Sequence, residues 1–292
     1  MKIGFFAVGI GHLSRPDLVK TVAVHAERLN FATVWAPEHV VLLDKHISKY
    51  PYSKGEFPLP TDTAFADPFV TLGYAAAYTS RVKLVTGICL VPEHNPVVLA
   101  KVVGTLDQLS GGRFTLGVGV GWLEEEFNAV GVPWERRAQR TREYIEAMRC
   151  LWRDAHSTYK GEFVKFENVR SYPKPVRGEV PIWFGGESGP ALKRVADYGN
   201  GWCGFNLSAD EAAAKMKRLD ELIKAAGRKR SEIYMALSPY TKPITRDDLK
   251  RYRDAGVDEL GFIEFNPPTS ERDMIAKMEQ MAREWVEPAA KI

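Results

Sequence analysis

The chain carries no excess of either charge, since 40 Lys and Arg stand against 37 Asp and Glu over 292 residues, a formal net charge of +3. Binding a phosphate backbone needs clustered Lys and Arg, and here the two signs alternate, so nucleic acid is excluded as a partner. Long hydrophobic runs are also missing. No segment reaches the roughly 18 apolar residues of a membrane-spanning helix, and no membrane association is expected. The apolar start Ile3 to Gly11 is short, Gly-rich and without an A-x-A, so no signal peptide is expected and the chain is placed in the cytoplasm. Cysteine is scarce: Cys89, Cys150 and Cys203 lie tens of residues apart, which supports neither a disulfide framework nor a zinc site. The six histidines (His12, His25, His39, His46, His94 and His156) form no H-x-H or H-E-x-x-H, and none lies near the later strand ends. That argues against a barrel metal hydrolase, and no metal is expected. With 45% apolar and 26% charged residues, what remains is a folded chain with a sizeable core.

Short β-branched or aromatic runs alternate with longer amphipathic stretches about eight times. The expected strands are Lys2 to Val8, Thr33 to Ala36, Val82 to Gly87, Phe114 to Val118, Ile182 to Gly185, Gly201 to Cys203, Ile233 to Leu237 and Glu259 to Ile263. Nearly all apolar, they read as buried on both faces, which calls for a parallel sheet covered by helices. The helices between them begin with Pro16 to Leu29, with Ser14 as N-cap, and end with Ser270 to Trp285. Eight β/α units in this length predict an α/β fold, a (β/α)8 TIM barrel, with 1–292 as a single domain. A doubly wound sheet is the alternative; it is disfavoured because no single G-x-G-x-x-G opens the first helix. Two segments fit no unit and read as insertions, Val40 to Ala66 after strand 2 and Asp154 to Val180 between strands 4 and 5. Loops of that length are usually lids or binding loops.

In a barrel, chemistry gathers at the strand C-terminal ends. Trp35, Gly87, Val118, Gly185 and Cys203 are expected near that rim. After strand 2 stand Glu38 and His39, a carboxylate beside an imidazole that suits proton transfer; capping of a loop explains the pair equally well. Strand 4 runs into Gly117-Val-Gly119-Val-Gly121-Trp122, whose bare side lets a flat ring or another backbone approach closely. Glu124, Glu125 and Glu126 follow, read as the solvated first turn of a helix. After strand 5, Gly185-Gly186-Glu187-Ser188 opens a helix and presents backbone N–H groups suited to an anion such as phosphate. Arg136, Arg137, Arg140 and Arg142 read as a solvated or subunit-contacting helix face.

Taken in order, Trp35-Ala-Pro-Glu-His39, Tyr50-Pro-Tyr52, Asp67-Pro68, Asn95-Pro96, Leu106-Asp-Gln-Leu-Ser-Gly-Gly-Arg113, Leu116-Gly-Val-Gly-Val-Gly-Trp122, Lys174-Pro175, Pro181-Ile-Trp-Phe-Gly-Gly186 and Gly199-Asn-Gly-Trp202 resemble the luciferase-like flavin and deazaflavin oxidoreductases. Within that family the resemblance is to the F420-dependent branch, and it runs nearly end to end. It implies a cofactor ring lying over the strand ends and a homodimer. It places His39 beside the redox centre with Glu38 as its acidic neighbour, and a non-prolyl cis peptide at Gly87-Ile88 behind the ring. Gly185 and Gly186 match the cofactor-phosphate loop. One departure is plain: where the family's glucose-6-phosphate dehydrogenases carry a catalytic Glu after the glycine run, this chain has Trp122.

The resulting expectation is an enzyme that transfers hydride between the C5 of coenzyme F420 and a small organic substrate. The catalytic residues are His39 and Glu38. The cofactor is held by His39, Gly87, Ile88, Gly119, Gly121, Gly185, Gly186, Glu187 and Ser188, and the substrate pocket is lined by Trp122, Tyr50 and Tyr52. The alternative is an FMN-dependent two-component monooxygenase supplied by a separate reductase. A non-catalytic cofactor carrier is the reading from another class.

Overall fold

Eight parallel strands close on themselves because each apolar run finds a like neighbour on either side. The computed structural model describes residues 1–292. Its strands are β1 (Lys2–Phe6), β2 (Thr33–Ala36), β3 (Lys83–Thr86), β4 (Cys89–Leu90), β5 (Phe114–Gly119), β6 (Ser157–Lys160), β7 (Lys165–Val169), β8 (Ile182–Gly185), β9 (Gly201–Phe205), β10 (Tyr234–Ser238) and β11 (Glu259–Ile263). The barrel order is β1-β2-β3-β5-β8-β9-β10-β11, and β11 pairs with β1 through Lys2↔Glu259 to Phe6↔Ile263. This is a (β/α)8 barrel, and the open doubly wound alternative is excluded. β4 is a two-residue stub beside the C-terminal end of β5. The hairpin β6–β7 lies in the segment between the fourth and fifth barrel strands, around Gly161.

The helices are α1 (Pro16–Arg28), α2 (Pro68–Ala77), α3 (Pro96–Leu109), α4 (Glu124–Ala129), α5 (Arg137–Arg153), α6 (Gly189–Tyr198), α7 (Ala209–Ala225), α8 (Arg246–Asp254) and α9 (Glu271–Met281). None is long and apolar enough to cross a membrane. Several start at side-chain caps: the Asp67 and Asn95 side chains accept from the first-turn amides of α2 and α3, and Ser188 caps α6. Ser14 does not cap α1. Its hydroxyl bonds back to Gly11, Arg15 takes the cap position, and Pro16 at the first turn sets the helix start. α9 ends at Met281 and not at Trp285, because the chain widens into a looser turn over Ala282–Val286.

The main core lies between strands and helices, where Val34, Leu84, Leu116, Ile182 and Leu260 are fully buried. Each such side chain contributes roughly 1.5–3 kcal/mol of transfer free energy. Inside the barrel Trp35, Val85, Trp183 and Ala236 pack together. Trp35 lines the cavity over the strand tips, as expected of a residue near the rim, while its indole nitrogen donates to Thr33 at 2.6 Å. Thr33 and Tyr234 in turn donate to the buried Glu259, whose carboxyl is pushed up by its burial. The barrel is thus sealed at its N-terminal end. At the other end an apolar-walled cavity of about 880 Å³ opens over the strand tips.

Candidate active site

His39 stands on the cavity rim just after β2, and a carboxylate sets its orientation, but the carboxylate is not its sequence neighbour. Nδ1 lies 2.8 Å from Oε2 of Glu126, in the first turn of α4. Because a carboxylate accepts, Nδ1 carries the proton and Nε2 is left for the cavity. The Glu126 Oε1 accepts from the Val40 and Val41 amides at 2.7 and 3.2 Å, and its side chain is 1% exposed. Glu38 turns the opposite way. Its Oε2 accepts from the Leu90 amide at 2.5 Å and its Oε1 pairs with His94 Nε2 at 2.9 Å. The run Glu124 to Glu126 is therefore a solvated turn only in part: Glu124 is exposed, while Glu126 is buried. Glu126 seats His39, Glu125 holds the amides of Ile47 and Ser48, and those amide bonds outweigh its desolvation to draw the Glu125 carboxyl down to about 2. A helix start rich in acid is a common surface pattern, so only the fold could show that Glu126 faces inward.

The insertion of residues 40–66 is fixed at three further points. Tyr52 donates to Glu187 Oε2 at 2.8 Å, Ser48 accepts from the Glu124 amide, and the Gly11 amide donates to Ala64. Its aromatics enclose the imidazole: Phe57, Phe65 and Trp122 meet His39 edge-on with centroids 5.2, 5.5 and 5.9 Å away. Tyr50 packs on Trp122 at 5.2 Å and Tyr52 on Phe205 at 4.9 Å. The three residues assigned to the substrate pocket, Tyr50, Tyr52 and Trp122, thus line one cavity with His39.

The glycines do something more specific than stay bare. The Gly87–Ile88 peptide is cis, as the resemblance implied. Ile88 then lies across the inner barrel wall, where a methyl on Gly119 would stand 2.5 Å from its Cδ1 and one on Gly185 2.7 Å from it. Both positions must lack a side chain for Ile88 to fit. Gly121 is excluded from bearing one twice over, by a φ of +80° and by the Phe127 ring 2.3 Å from where a Cβ would sit.

On the same cavity, Gly186 to Ser188 lead into α6, whose first turn leaves backbone N–H groups unpaired within the helix. Arg194, one turn further on, lines the cavity, and its Nε is sealed from water without a partner. The Glu187 carboxyl is engaged elsewhere: it is held by Tyr52 and by the Phe205 amide at 2.7 Å, and burial pushes it up. Of the basic stretch, Arg140 is buried against the carbonyls of Pro133 and Glu135, and Arg137 lies over Trp134. Arg136 and Arg142 do face solvent, so only half of the stretch departs from the solvated-face reading. Glu38, Cys89 and His94 bring a carboxylate, a thiol and an imidazole within 4.8 Å. The imidazole pairs with Glu38, and burial, with the charge of Glu38 added to it, pushes the thiol up.

Residues 1–290 match the family model described as luciferase-like monooxygenase. An uncharacterized protein of Mycobacterium tuberculosis (strain ATCC 25618 / H37Rv) is 38% identical over 260 residues, which is 88% of this chain and 90% of that protein. The FMNH2-dependent dimethylsulfone monooxygenase of Pseudomonas putida is 33% identical over 158 residues, covering 50% of this chain and 43% of its own length. Among solved structures, an F420-dependent secondary alcohol dehydrogenase in complex with an F420-acetone adduct aligns at a TM-score of 0.78 and 19% identity, over 99% of this chain and 98% of that one. That last likeness is one of fold.

Proposed function

Because the chain belongs to the luciferase-like monooxygenase family, we propose that it is an oxidoreductase that binds coenzyme F420 over the strand ends and exchanges hydride with a small organic substrate beside His39. The observation that carries this reading is the His39–Glu126 pair, an oriented imidazole opening onto a cavity with mainly apolar walls. The residues present fit such a group. The unpartnered Arg194 Nε and the first turn of α6 suit its phosphodiester, and the Ile88 face offers a flat apolar bed for a ring. When bound, the deazaflavin supplies or takes the hydride at C5. The chain orients and excludes water, and His39 Nε2 takes the proton of a substrate hydroxyl or gives one to a carbonyl. Tyr50, Tyr52 and Trp122 favour a neutral, apolar or cyclic substrate over a charged one.

A second reading has its own support in the partial match to the FMNH2-dependent monooxygenase. In it FMN replaces F420, oxygen is the co-substrate and a separate reductase supplies the reduced flavin. Glu187 does not arbitrate by repelling phosphate, since its carboxyl is engaged by the insertion. Titration by fluorescence quenching does. Saturable F420 binding at the micromolar level, weaker FMN binding and a loss of affinity at high salt, where exposed charges are screened beyond about 8 Å or less, are expected. Tighter FMN binding at both low and high salt would make the monooxygenase the better reading.

The active form is proposed to be a homodimer in the cytoplasm. α2 turns Val70, Tyr74 and Tyr78 outward at helical spacing, and α3 beside it exposes Val98 and Leu109, at 73% for Val70 and 74% for Leu109. An apolar face of that kind on a soluble barrel fits a second copy across a twofold axis. Sedimentation should give a dimer for the native chain and a folded monomer for Val70→Asp/Val98→Asp. A native monomer would remove the proposal.

A further inference from the structure

The proposed function puts the phosphodiester of the cofactor where Gly186 to Ser188 enter α6, and the substrate beside Tyr50, Tyr52 and Trp122. We propose that Glu187 is the positioning residue that couples these two places. Its carboxyl latches Tyr52 of the insertion, so a phosphate-bearing ligand held at the start of α6 steadies the aromatic box around His39, and a substrate held in that box strengthens the hold on the ligand. This coupling rests on the reading of the α6 start as the anion site; what supports it independently is the set of contacts that meet at Glu187.

Glu187 stands between Gly186, whose φ of +100° turns the chain, and Ser188, which caps α6. Four hydrogen bonds fasten this short loop. Oε1 of Glu187 accepts from the Phe205 amide at 2.7 Å, at the end of β9, and the Glu187 carbonyl accepts from Lys215 of α7 at 2.9 Å. The Gly186 carbonyl accepts from the Trp202 indole at 2.9 Å. These three tie the loop to the barrel and its helices. The fourth is the Tyr52 hydroxyl, which donates to Oε2 at 2.8 Å across 135 positions of sequence and ties the same loop to the insertion. One residue therefore has backbone neighbours that suit an anion and a side chain that holds the substrate side.

On the insertion side the latch meets a strained turn. Ser53 and Lys54 have φ of +47° and +58°, and Gly55 follows at +91°. Two successive residues with side chains in the left-handed region are uncommon, and such backbone persists only where its surroundings impose it. The turn starts at Tyr52, whose carbonyl accepts from the Gly55 amide at 2.8 Å, while the Tyr50 amide donates to the Gly55 carbonyl at 3.0 Å. From Tyr52 the packing runs inward, each ring edge-on to the next. Tyr52 meets Tyr50 at 5.4 Å, Tyr50 meets Trp122 at 5.2 Å, and Trp122 meets His39 at 5.9 Å. A close-packed row has no slack, so a shift of Tyr52 is felt at the imidazole. Any coupling carried this way acts equally in both directions.

Hydrogen exchange of the Tyr50 and Gly55 amides, which close the turn, measures the latch. Tyr52→Phe keeps the ring and removes only the hydroxyl, and both amides should then exchange about tenfold faster or more, the factor that one hydrogen bond to a charged acceptor is worth. Glu187→Ala should do the same, and the double variant no more than either single one, because each breaks the same bond. Glu187→Gln should restore slow exchange, since its amide oxygen can accept from the Phe205 N–H while its NH2 donates to the Tyr52 oxygen. Adding F420, FMN or inorganic phosphate in turn measures the coupling. In the wild-type chain the ligand that binds should slow both amides by about fivefold or more, the low end of couplings between linked sites. In Tyr52→Phe, which leaves the loop itself intact, that slowing should vanish and the affinity for the ligand, followed by fluorescence or calorimetry, should fall by the same factor. A contact that is merely structural would speed exchange equally with and without ligand and leave the affinity unchanged. That outcome, or wild-type exchange in both single variants, overturns the proposal. Binding scores the functional reading separately. A chain that binds F420 without slowing the amides loses the latch alone; one that binds only FMN and slows them keeps the latch and loses F420; one that binds none of the three loses both.

Discussion

His39→Ala is expected to lower turnover by about 100-fold or more while F420 affinity stays within a few-fold of wild type, the usual size of a general acid-base contribution. The split follows from where the imidazole sits. It is boxed by Phe57, Phe65 and Trp122, whereas the groups proposed to hold the phosphodiester, Arg194 and the start of α6, are separate residues of the cavity lining. Removing the ring leaves those features in place. It also leaves Glu126 without one of its three hydrogen-bond partners, so some loosening of the insertion is built into the variant. His39→Asn controls for that, since an amide still donates to Glu126 but moves no proton at neutral pH. Steady-state rates on an alcohol and ketone panel, with cofactor affinity by fluorescence on the same preparations, check the expectation. Full activity in His39→Asn would reduce His39 to a tether for the insertion.

The barrel was legible in the sequence because its signal is repetitive and local. Thr33 to Ala36, Ile182 to Gly185 and Glu259 to Ile263 are strands at the expected bounds, since a run buried on both faces has apolar residues at every position and stops where they stop. The helix starts at Pro68 and Pro96 were legible for the same reason: Asp-Pro and Asn-Pro carry both cap and first turn. The site was legible only in part. His39 was found because an imidazole at a strand end is unusual. Its carboxylate was taken to be Glu38, the next residue, when the partner is 87 positions away on α4. Adjacent residues on extended backbone point to opposite sides, so Glu38 and His39 were poor candidates to touch each other, and each found its own imidazole or carboxyl partner. Arg194 is ambiguous in the sequence because a basic residue one turn into a helix is ordinary at a surface, and only burial shows its Nε to be unpaired.

Glu126 joins the two parts of the site, and substituting it two ways should separate them. In Glu126→Gln the amide oxygen can keep the Val40 and Val41 amides, so the insertion stays seated. The amide nitrogen must then face His39 Nδ1, where a donor meets a donor. The imidazole responds by taking the other tautomer, with its proton on Nε2, and loses its capacity to accept from a substrate hydroxyl. An Asp→Asn change behind the histidine of the Ser-His-Asp triad costs roughly 10⁴ in rate by this route, and a loss of about 10²–10⁴ is expected here with cofactor binding and stability nearly unchanged. Glu126→Ala removes all three acceptor contacts at once, each unsatisfied group costing about 1–3 kcal/mol. The insertion should then open: the amides of Val40 and Val41 lose protection in hydrogen exchange, and protease cuts appear between residues 40 and 66. Turnover falls in both variants, but only the alanine exposes the segment. If Glu126→Gln opens the insertion as far as Glu126→Ala does, Glu126 acts through the loop and not through the imidazole. If the glutamine variant keeps full activity in the direction of substrate oxidation, the tautomer that Glu126 imposes has no part in the chemistry, and the proton must enter and leave His39 from the cavity side alone.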